Sequence, residues 1–236
     1  MAQDDEAIVC GTNGCATPAS ARAETVLPSS SAELTVVSDA ICPWCYVGKR
    51  RLEQAIALMD GVQPVRVTWR PFELNPQMPK EGIERREYRM RKFGSWERSL
   101  ALDAQMIEVG KSVGIAFRYD LMQRTPNTFD AHRLIWLAGH LGVQDAMVET
   151  LFRGYFCEGR DIGDAGVLAE LAATAGIDRD QAAAFLKSTG GGAEVAAEEE
   201  VAIRAGLSGV PTFVLDGRVL FSGAQPPEMI AQALSR

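Results

Sequence analysis

The spacing of apolar side chains divides the chain into an unpatterned start and a patterned remainder. Residues 1–32 are rich in Ala, Ser, Thr, Pro and Asp and carry no hydrophobic period, so they read as a mobile tail. The pattern begins with Leu34-Thr-Val-Val37, a short β-branched run bounded by Ser38-Asp39, which predicts a buried strand. Tyr46, Val47, Leu52, Ala55, Ile56 and Met59 then recur at helical spacing as far as Asp60-Gly61. Val65-Arg-Val-Thr-Trp-Arg70 alternates as a second strand and stops at Pro71. From 76 to 192 the spacing is helical almost throughout, with helices expected at 84–92, 97–114, 127–141, 144–156, 164–176 and 179–188. Leu141-Gly142, Ala175-Gly176 and Gly190-Gly-Gly192 separate several of them. A helix over 194–205 leads to two β runs, Thr212-Phe-Val-Leu215 and Val219-Leu-Phe221. Their connection, Asp216-Gly217-Arg218, is a hairpin signal. Pro226-Pro227 opens a last helix to Leu234.

Setting the helical block aside leaves βαβ followed by αββα. A right-handed crossover makes the first two strands parallel, and the terminal hairpin is antiparallel. The expected fold is therefore α/β, a mixed sheet with helices on both faces. Residues 33–75 and 193–236 build the sheet domain, and 76–192 form an all-helical insertion.

Composition narrows the function classes. The 236 residues are 47% hydrophobic and 23% charged, ordinary for a globular protein with a sizeable core. A net charge of −7 argues against a nucleic-acid surface, which needs a basic stripe. The Arg-rich run 84–92 interleaves Glu and Tyr and reads as a solvated helix face. The acidic start lacks an early Lys or Arg and an apolar segment of the signal-peptide kind. No apolar run approaches the ~18 residues of a membrane span. A cytoplasmic location, with neither membrane nor nucleic acid as partner, is the resulting expectation.

In that setting two of the five cysteines, Cys42 and Cys45, stand three positions apart between the first strand and its helix. Such a pair lies on one face of a first helical turn and can bridge. Unpaired N–H groups and the helix dipole favour a thiolate at Cys42, and Pro43 suits the first helical position. Cys45, one turn inside, is the more buried and resolving thiol. A zinc reading would enlist Cys10 and Cys15 as well, but Pro43-Trp44 is a poor spacer for a metal knuckle. Two buried thiols under a helix cap are the bland alternative. A CxxC that follows a strand and opens a helix favours the redox couple, with no metal.

Further motifs accompany the pair. DxxCPWCxxG, WRPFELNP at 69–76, PNTFDAHRL at 126–134, YFCEGRDIGD at 155–164 and GVPTFV at 209–214 together resemble the DsbA-like oxidoreductases. The FrnE-type branch, predicted cytosolic dithiol–disulfide isomerases, looks most similar. The resemblance spans about 33–236 and implies a thioredoxin-like fold with a helical insertion. It implies Cys42 as attacking thiol, Cys45 as resolving thiol and Pro211 as a cis-proline facing them. Around the substrate it implies Pro43, Trp44, Val210, Thr212, Asn127 and His132. The expected partners are disulfide-containing proteins or low-molecular-weight thiols, with no bound cofactor and glutathione as a conceivable co-substrate. The same architecture resembles 2-hydroxychromene-2-carboxylate isomerases and kappa-class glutathione transferases, in which a serine usually occupies the Cys42 position. That gives the alternative function, glutathione-dependent chemistry on a small aromatic molecule.

Two features depart from the resembled pattern. The position six before Cys42, often a buried acid, is Val36, so another group or water must serve the resolving thiol. Asp39 is closer and reads either as a turn cap or as a chemical group. The tail motif Cys10-Gly-Thr-Asn-Gly-Cys15 lies outside the resemblance. Its Asn-Gly favours a turn that brings the sulfurs together, so a relay pair, capture of a soft metal ion and incidental cysteines all stay open. His132 reads as a proton shuttle or a structural histidine, and His140 as structural. Cys157 reads as a small buried hydrophobe. Trp69, Trp96 and Trp136 read as core, and Lys49, Arg50 and Arg51 as a solvated face.

Overall fold

A computed structural model describes residues 32–59 and 65–235. The CGTNGC motif and the Asp60-Gly61 turn lie outside the described residues. Strand β1 (Ala32–Ser38) runs through the middle of a four-stranded sheet of order β2-β1-β5-β6. Strand β2 (Val65–Pro71) pairs with it in parallel, which requires helix α1 (Pro43–Leu58) as a crossover. Strands β5 (Thr212–Leu215) and β6 (Arg218–Ser222) form the antiparallel hairpin, with β5 against the other edge of β1. Val36 is therefore flanked by Trp69 on one side and Phe213 on the other. Successive residues of a strand point to opposite faces. Val36 and Val37 are both buried, as are Thr212 and Phe213. Both faces of the central strands are covered.

The insertion follows β2. Strand β3 (Ile83–Glu84), α2 (Arg85–Phe93), α3 (Trp96–Ser112) and strand β4 (Arg124–Thr125) come first, then α4 (Phe129–His140), α5 (Gln144–Glu158), α6 (Ala165–Thr174) and α7 (Arg179–Lys187). Helix α8 (Gly192–Arg204) returns the chain to β5, and α9 (Pro227–Leu234) closes it against α1. Helices start where short polar side chains cap them. Ser95, Asp164 and Asp178 accept the N–H groups of Arg98, Val167 and Gln181, each cap contributing about 1 kcal/mol. The expectation of an all-helical insertion is corrected at β3 and β4. Ile83 pairs with Thr125 and Glu84 with Arg124 in a two-residue ribbon that closes the α2–α3 excursion. Two residues are too few to show a period of two, so no pattern announced it.

Sheet and insertion share one core. Tyr46 on α1 stacks on Phe152 of α5 at 5.1 Å between ring centres and meets Phe117 and Phe156 around it. Trp69 is buried as expected, whereas Trp96 and Trp136 are only half-buried. Trp136 shares its surface with His140, whose ring lies 4.1 Å away and whose Nδ1 is 2.9 Å from the Trp136 carbonyl. The solvated-face reading of Lys49–Arg51 is corrected too. Lys49 is 3% exposed and pairs with Glu53, Asp145 and Glu149, because α5 turns an acidic face onto α1. Arg50 pairs with Glu53 and Glu149, and Arg51 donates to the Ala224 carbonyl.

Candidate active site

The sharp turn from β1 into α1 places the cysteine pair. Cys42 is the N-cap residue of α1, with extended backbone and no side-chain cap of its own, and Pro43 follows in the first turn. The Cys42 N–H donates to the Asp39 carbonyl at 3.0 Å, which closes the turn. Cys42 and Cys45 are free thiols, 5% and 0% exposed. Burial, reinforced by the neighbouring Cys42, pushes the Cys45 thiol well above the ordinary thiol range. Cys45 is thus held as S–H in the resting dithiol. Trp44 stands outward between them, 43% exposed.

The loop before β5 faces the pair. The Val210–Pro211 peptide is cis, and the Cys42 Sγ–H donates to the Val210 carbonyl at 3.7 Å. Thr212 begins β5 with its hydroxyl directed inward. Oγ1 donates to the Gly209 carbonyl at 2.8 Å and lies 2.8 Å from Ser222 Oγ. Thr212 therefore braces the proline loop and, at 0% exposure, offers no side-chain contact to a substrate. Gly48 lets α1 approach this loop. A Cβ there would stand 3.0 Å from Pro211 Cγ.

Beside Cys42 a cavity of about 480 Å³ opens toward α2 and α3. Ile41, Trp44, Leu74, Met106, Val109 and Phe156 supply much of its apolar wall. The basic side chains bordering it are partly spent. Arg85 and Arg89 both grip Asp103, at 2.7 and 2.6 Å, and Arg85 lies over the rings of Trp96 and Tyr119.

Two residues expected around the substrate are elsewhere. Asn127 uses its amide to hold its own loop, donating from Nδ2 to the Met78 carbonyl at 2.9 Å and accepting the Phe129 N–H at 3.0 Å. His132 is 2% exposed, with Nε2 3.5 Å from Asp39 Oδ1. Asx-turn chemistry and burial explain both placements. Asp39 is wholly buried, its Oδ1 accepting the Ile41 N–H at 3.3 Å and its Oδ2 the Leu74 N–H at 2.7 Å. Cys157 is half-buried, its thiol pushed up by burial first and by Glu149 and Glu158 next. Among the described residues no cluster of three or more His, Cys, Asp or Glu is arranged to hold a metal ion, and no helix is long and apolar enough to cross a membrane.

Sequence reasoning missed Glu73, Leu74, Asp103 and the arginines around it. Glu73 and Leu74 lie inside the WRPFELNP segment, which served only as a family marker. Glu73 is 7% exposed, and burial lifts its carboxyl to about 7, with Glu199 and Asp39 adding to the rise and His132 opposing it.

Comparison with known proteins agrees with this architecture. A probable DsbA oxidoreductase from Streptomyces coelicolor is 37% identical, with 86% of this chain and 88% of that chain covered and a TM-score of 0.79. The uncharacterized protein YwbO of Bacillus subtilis is 26% identical over 86% of this chain and 95% of its own length. A 2-hydroxychromene-2-carboxylate isomerase shares the fold at 17% identity and a TM-score of 0.64, covering 86% of this chain and 94% of its own. The model of the DSBA-like thioredoxin domain matches residues 33–235. With its sheet order, its helical insertion and that match in hand, the chain belongs to the DSBA-like thioredoxin domain family.

Proposed function

We propose that this protein is a thiol–disulfide oxidoreductase that exchanges disulfides with polypeptide substrates through Cys42 and Cys45. The observation that carries the reading is the pair of free thiols on the first turn of α1, one at the mouth of a cavity and one wholly buried, facing the Val210–Pro211 loop. The Cys42 thiolate attacks a substrate sulfur, the substrate S–S bond breaks, and a mixed disulfide with Cys42 remains. Cys45 then attacks the Cys42 sulfur, and the second substrate sulfur leaves. The substrate gains two electrons and the dithiol becomes a disulfide, or the reverse, according to the redox poise around it.

The Val210 carbonyl, which accepts the Cys42 S–H in the resting state, supplies a backbone acceptor for an extended substrate strand. The apolar cavity beside Cys42 accommodates a large side chain flanking the substrate cysteine. The reading includes a cytosolic setting, with low-molecular-weight thiols such as glutathione recycling the pair. The same cavity also favours a second reading, glutathione-dependent chemistry on a small aromatic molecule.

Reduction of insulin driven by dithiothreitol separates the two. Disulfide exchange predicts turnover that is lost in Cys42→Ser and strongly impaired in Cys45→Ser. Glutathione-dependent isomerisation predicts activity that needs glutathione and survives Cys45→Ser. A Cys10→Ser/Cys15→Ser variant reports whether the tail cysteines take part in the cycle. Wild-type protein that does nothing above background would overturn the oxidoreductase reading.

A further inference from the structure

Helix α2 presents one face to solvent and another to the cavity beside Cys42. Arg86, Glu87 and Arg91 are exposed, and Glu87 pairs with Arg91 at 2.5 Å. Arg85, Tyr88, Arg89, Lys92 and Phe93 recur at the spacing of a single helix face and line the cavity onto which Cys42 also opens. The one carboxylate of α2 is thus turned away from the cavity, and three of its basic side chains are turned toward it. Asp103 of α3 is the single carboxylate in that lining. Arg85 and Arg89 share it, each donating from Nη2, at 2.7 and 2.6 Å, so one negative charge answers two guanidinium groups. Lys92 donates to the Tyr88 hydroxyl at 2.8 Å, a neutral partner. The cavity therefore carries a local excess of positive charge in a chain whose net charge is −7.

The spare hydrogen-bonding capacity around these cations has one sense as well. Tyr119 borders the cavity and is 9% exposed, and its buried hydroxyl finds no partner among the described residues. Burial first, then the charge of Asp103, pushes the phenol up, so it keeps its proton. Tyr88 donates to Asn75 Oδ1 at 2.7 Å, and Asn75 Nδ2 is a second buried atom with no partner among the described residues. Buried polar atoms without partners are rare in native proteins. Both of these can donate, and open donors beside surplus cations complement an anion.

We propose that this cavity selects polypeptide disulfides whose attacked cysteine is flanked by an apolar residue and by Asp or Glu. The apolar side chain lies on the wall supplied by residues such as Trp44 and Met106, and the carboxylate meets Lys92 and Tyr119. The inference rests on the disulfide-exchange reading above. A volume of about 480 Å³ is in the range that takes a whole small ligand, so both side chains have room. The Val210 carbonyl beside Cys42 offers an acceptor to a main-chain N–H, which favours a polypeptide over a small acid. Lys92 and Tyr119 act in binding and orienting the disulfide, before any bond changes, and are specificity-determining residues.

The test uses full-length protein with Cys10, Cys15 and Cys157 changed to Ser, and cysteine peptides activated as mixed disulfides with 2-thiopyridine. Cys42 attacks the peptide sulfur, the bond to the pyridyl sulfur breaks, and the departing group takes a proton from water as pyridine-2-thione, whose absorbance gives the rate. Each peptide carries Leu on one side of the cysteine and, on the other, Glu, Gln or Lys at one, two or three positions' distance. Every rate is divided by that of the same peptide with dithiothreitol, which removes differences in intrinsic reactivity. At low ionic strength the best Glu peptide is expected to react about fivefold faster than its Gln counterpart, with Lys slower still. Lys92→Gln should bring that ratio below about twofold. Tyr119→Phe should lower it too, without lowering the urea midpoint, because the hydroxyl it removes has no partner among the described residues. Lys111→Gln, at an exposed lysine of α3 outside the cavity lining, should leave the ratio at its parent value.

Equal rates for Glu and Gln peptides at every position would overturn the proposal. So would a Glu preference that Lys92→Gln and Tyr119→Phe both leave intact, or one that Lys111→Gln lowers as much as Lys92→Gln does. A pyridyl disulfide of a small mercapto acid that outruns every peptide would overturn the polypeptide as occupant. Release of no thione from any peptide, or release that Cys42→Ser leaves unchanged, would instead overturn the disulfide reading itself.

Discussion

Glu73 should make the protein less stable as pH rises, in a way that one substitution abolishes. Its carboxyl is 7% exposed and its oxygen Oε1 lacks a partner among the described residues. Burial, then the charges of Glu199 and Asp39 against that of His132, raises it from 4.5 to about 7. Because the folded state binds this proton more tightly than the unfolded chain, the group costs nothing extra below about pH 4.5. Between 4.5 and 7 the unfolded chain ionises while the folded protein resists, so stability declines through that window, and the full penalty persists above it. A rise from 4.5 to about 7, at about 1.4 kcal/mol per pKa unit, sets that penalty at up to about 3.5 kcal/mol. Glu73→Gln keeps the shape and removes the charge. Urea unfolding from pH 4 to pH 8 should give nearly equal midpoints at the acid end. At pH 8 the variant should be the more stable by about 2–3 kcal/mol. A difference constant across the range, or a wild type that gains on the variant as pH rises, would refute the argument.

Other predictions concern the walls of the site. Gly48→Val drives a side chain into Pro211 from 3.0 Å, so it should cost about 1–3 kcal/mol in urea unfolding and most of the insulin-reduction activity, with Gly48→Ala milder on both. Asp103→Asn leaves Arg85 and Arg89 without their shared counter-charge. A loss of about 3 kcal/mol is expected there, and chemical denaturation at neutral pH measures it. Trp44 stands 43% exposed beside Cys42, so Trp44→Ala should change stability by less than about 0.5 kcal/mol. It should raise KM for peptide disulfides more than it lowers kcat, which steady-state kinetics with a cysteine-containing peptide resolves.

Most of the fold was legible because its signals are local. A β-branched run, the alternation of 65–70, a helical period and the Asp216-Gly217 turn each occupy a few neighbouring residues. Crossover handedness converts their order into a mixed sheet. The dithiol was legible for the same reason, since two thiols on one helical turn interact through sequence neighbours alone. Pro211 needed the resemblance to other proteins, for nothing between residues 46 and 210 tells which strand will lie opposite Cys42. The miss at β3–β4 has a different origin, in strands too short to carry a period.

The roles of single polar residues divide along the same line. The sequence by itself determined an α/β chain with a dithiol at a helix N-terminus, because helix caps and side-chain periods are set within a turn or two of the backbone. Only the tertiary structure decided that Asn127 braces its own loop, that Lys49 is buried among carboxylates, that His132 approaches Asp39, and that Glu199 accepts the Glu73 N–H. Each of those outcomes depends on which distant element packs on which. Burial and the approach of a remote charge are what turn an ordinary glutamate into one poised near neutral pH.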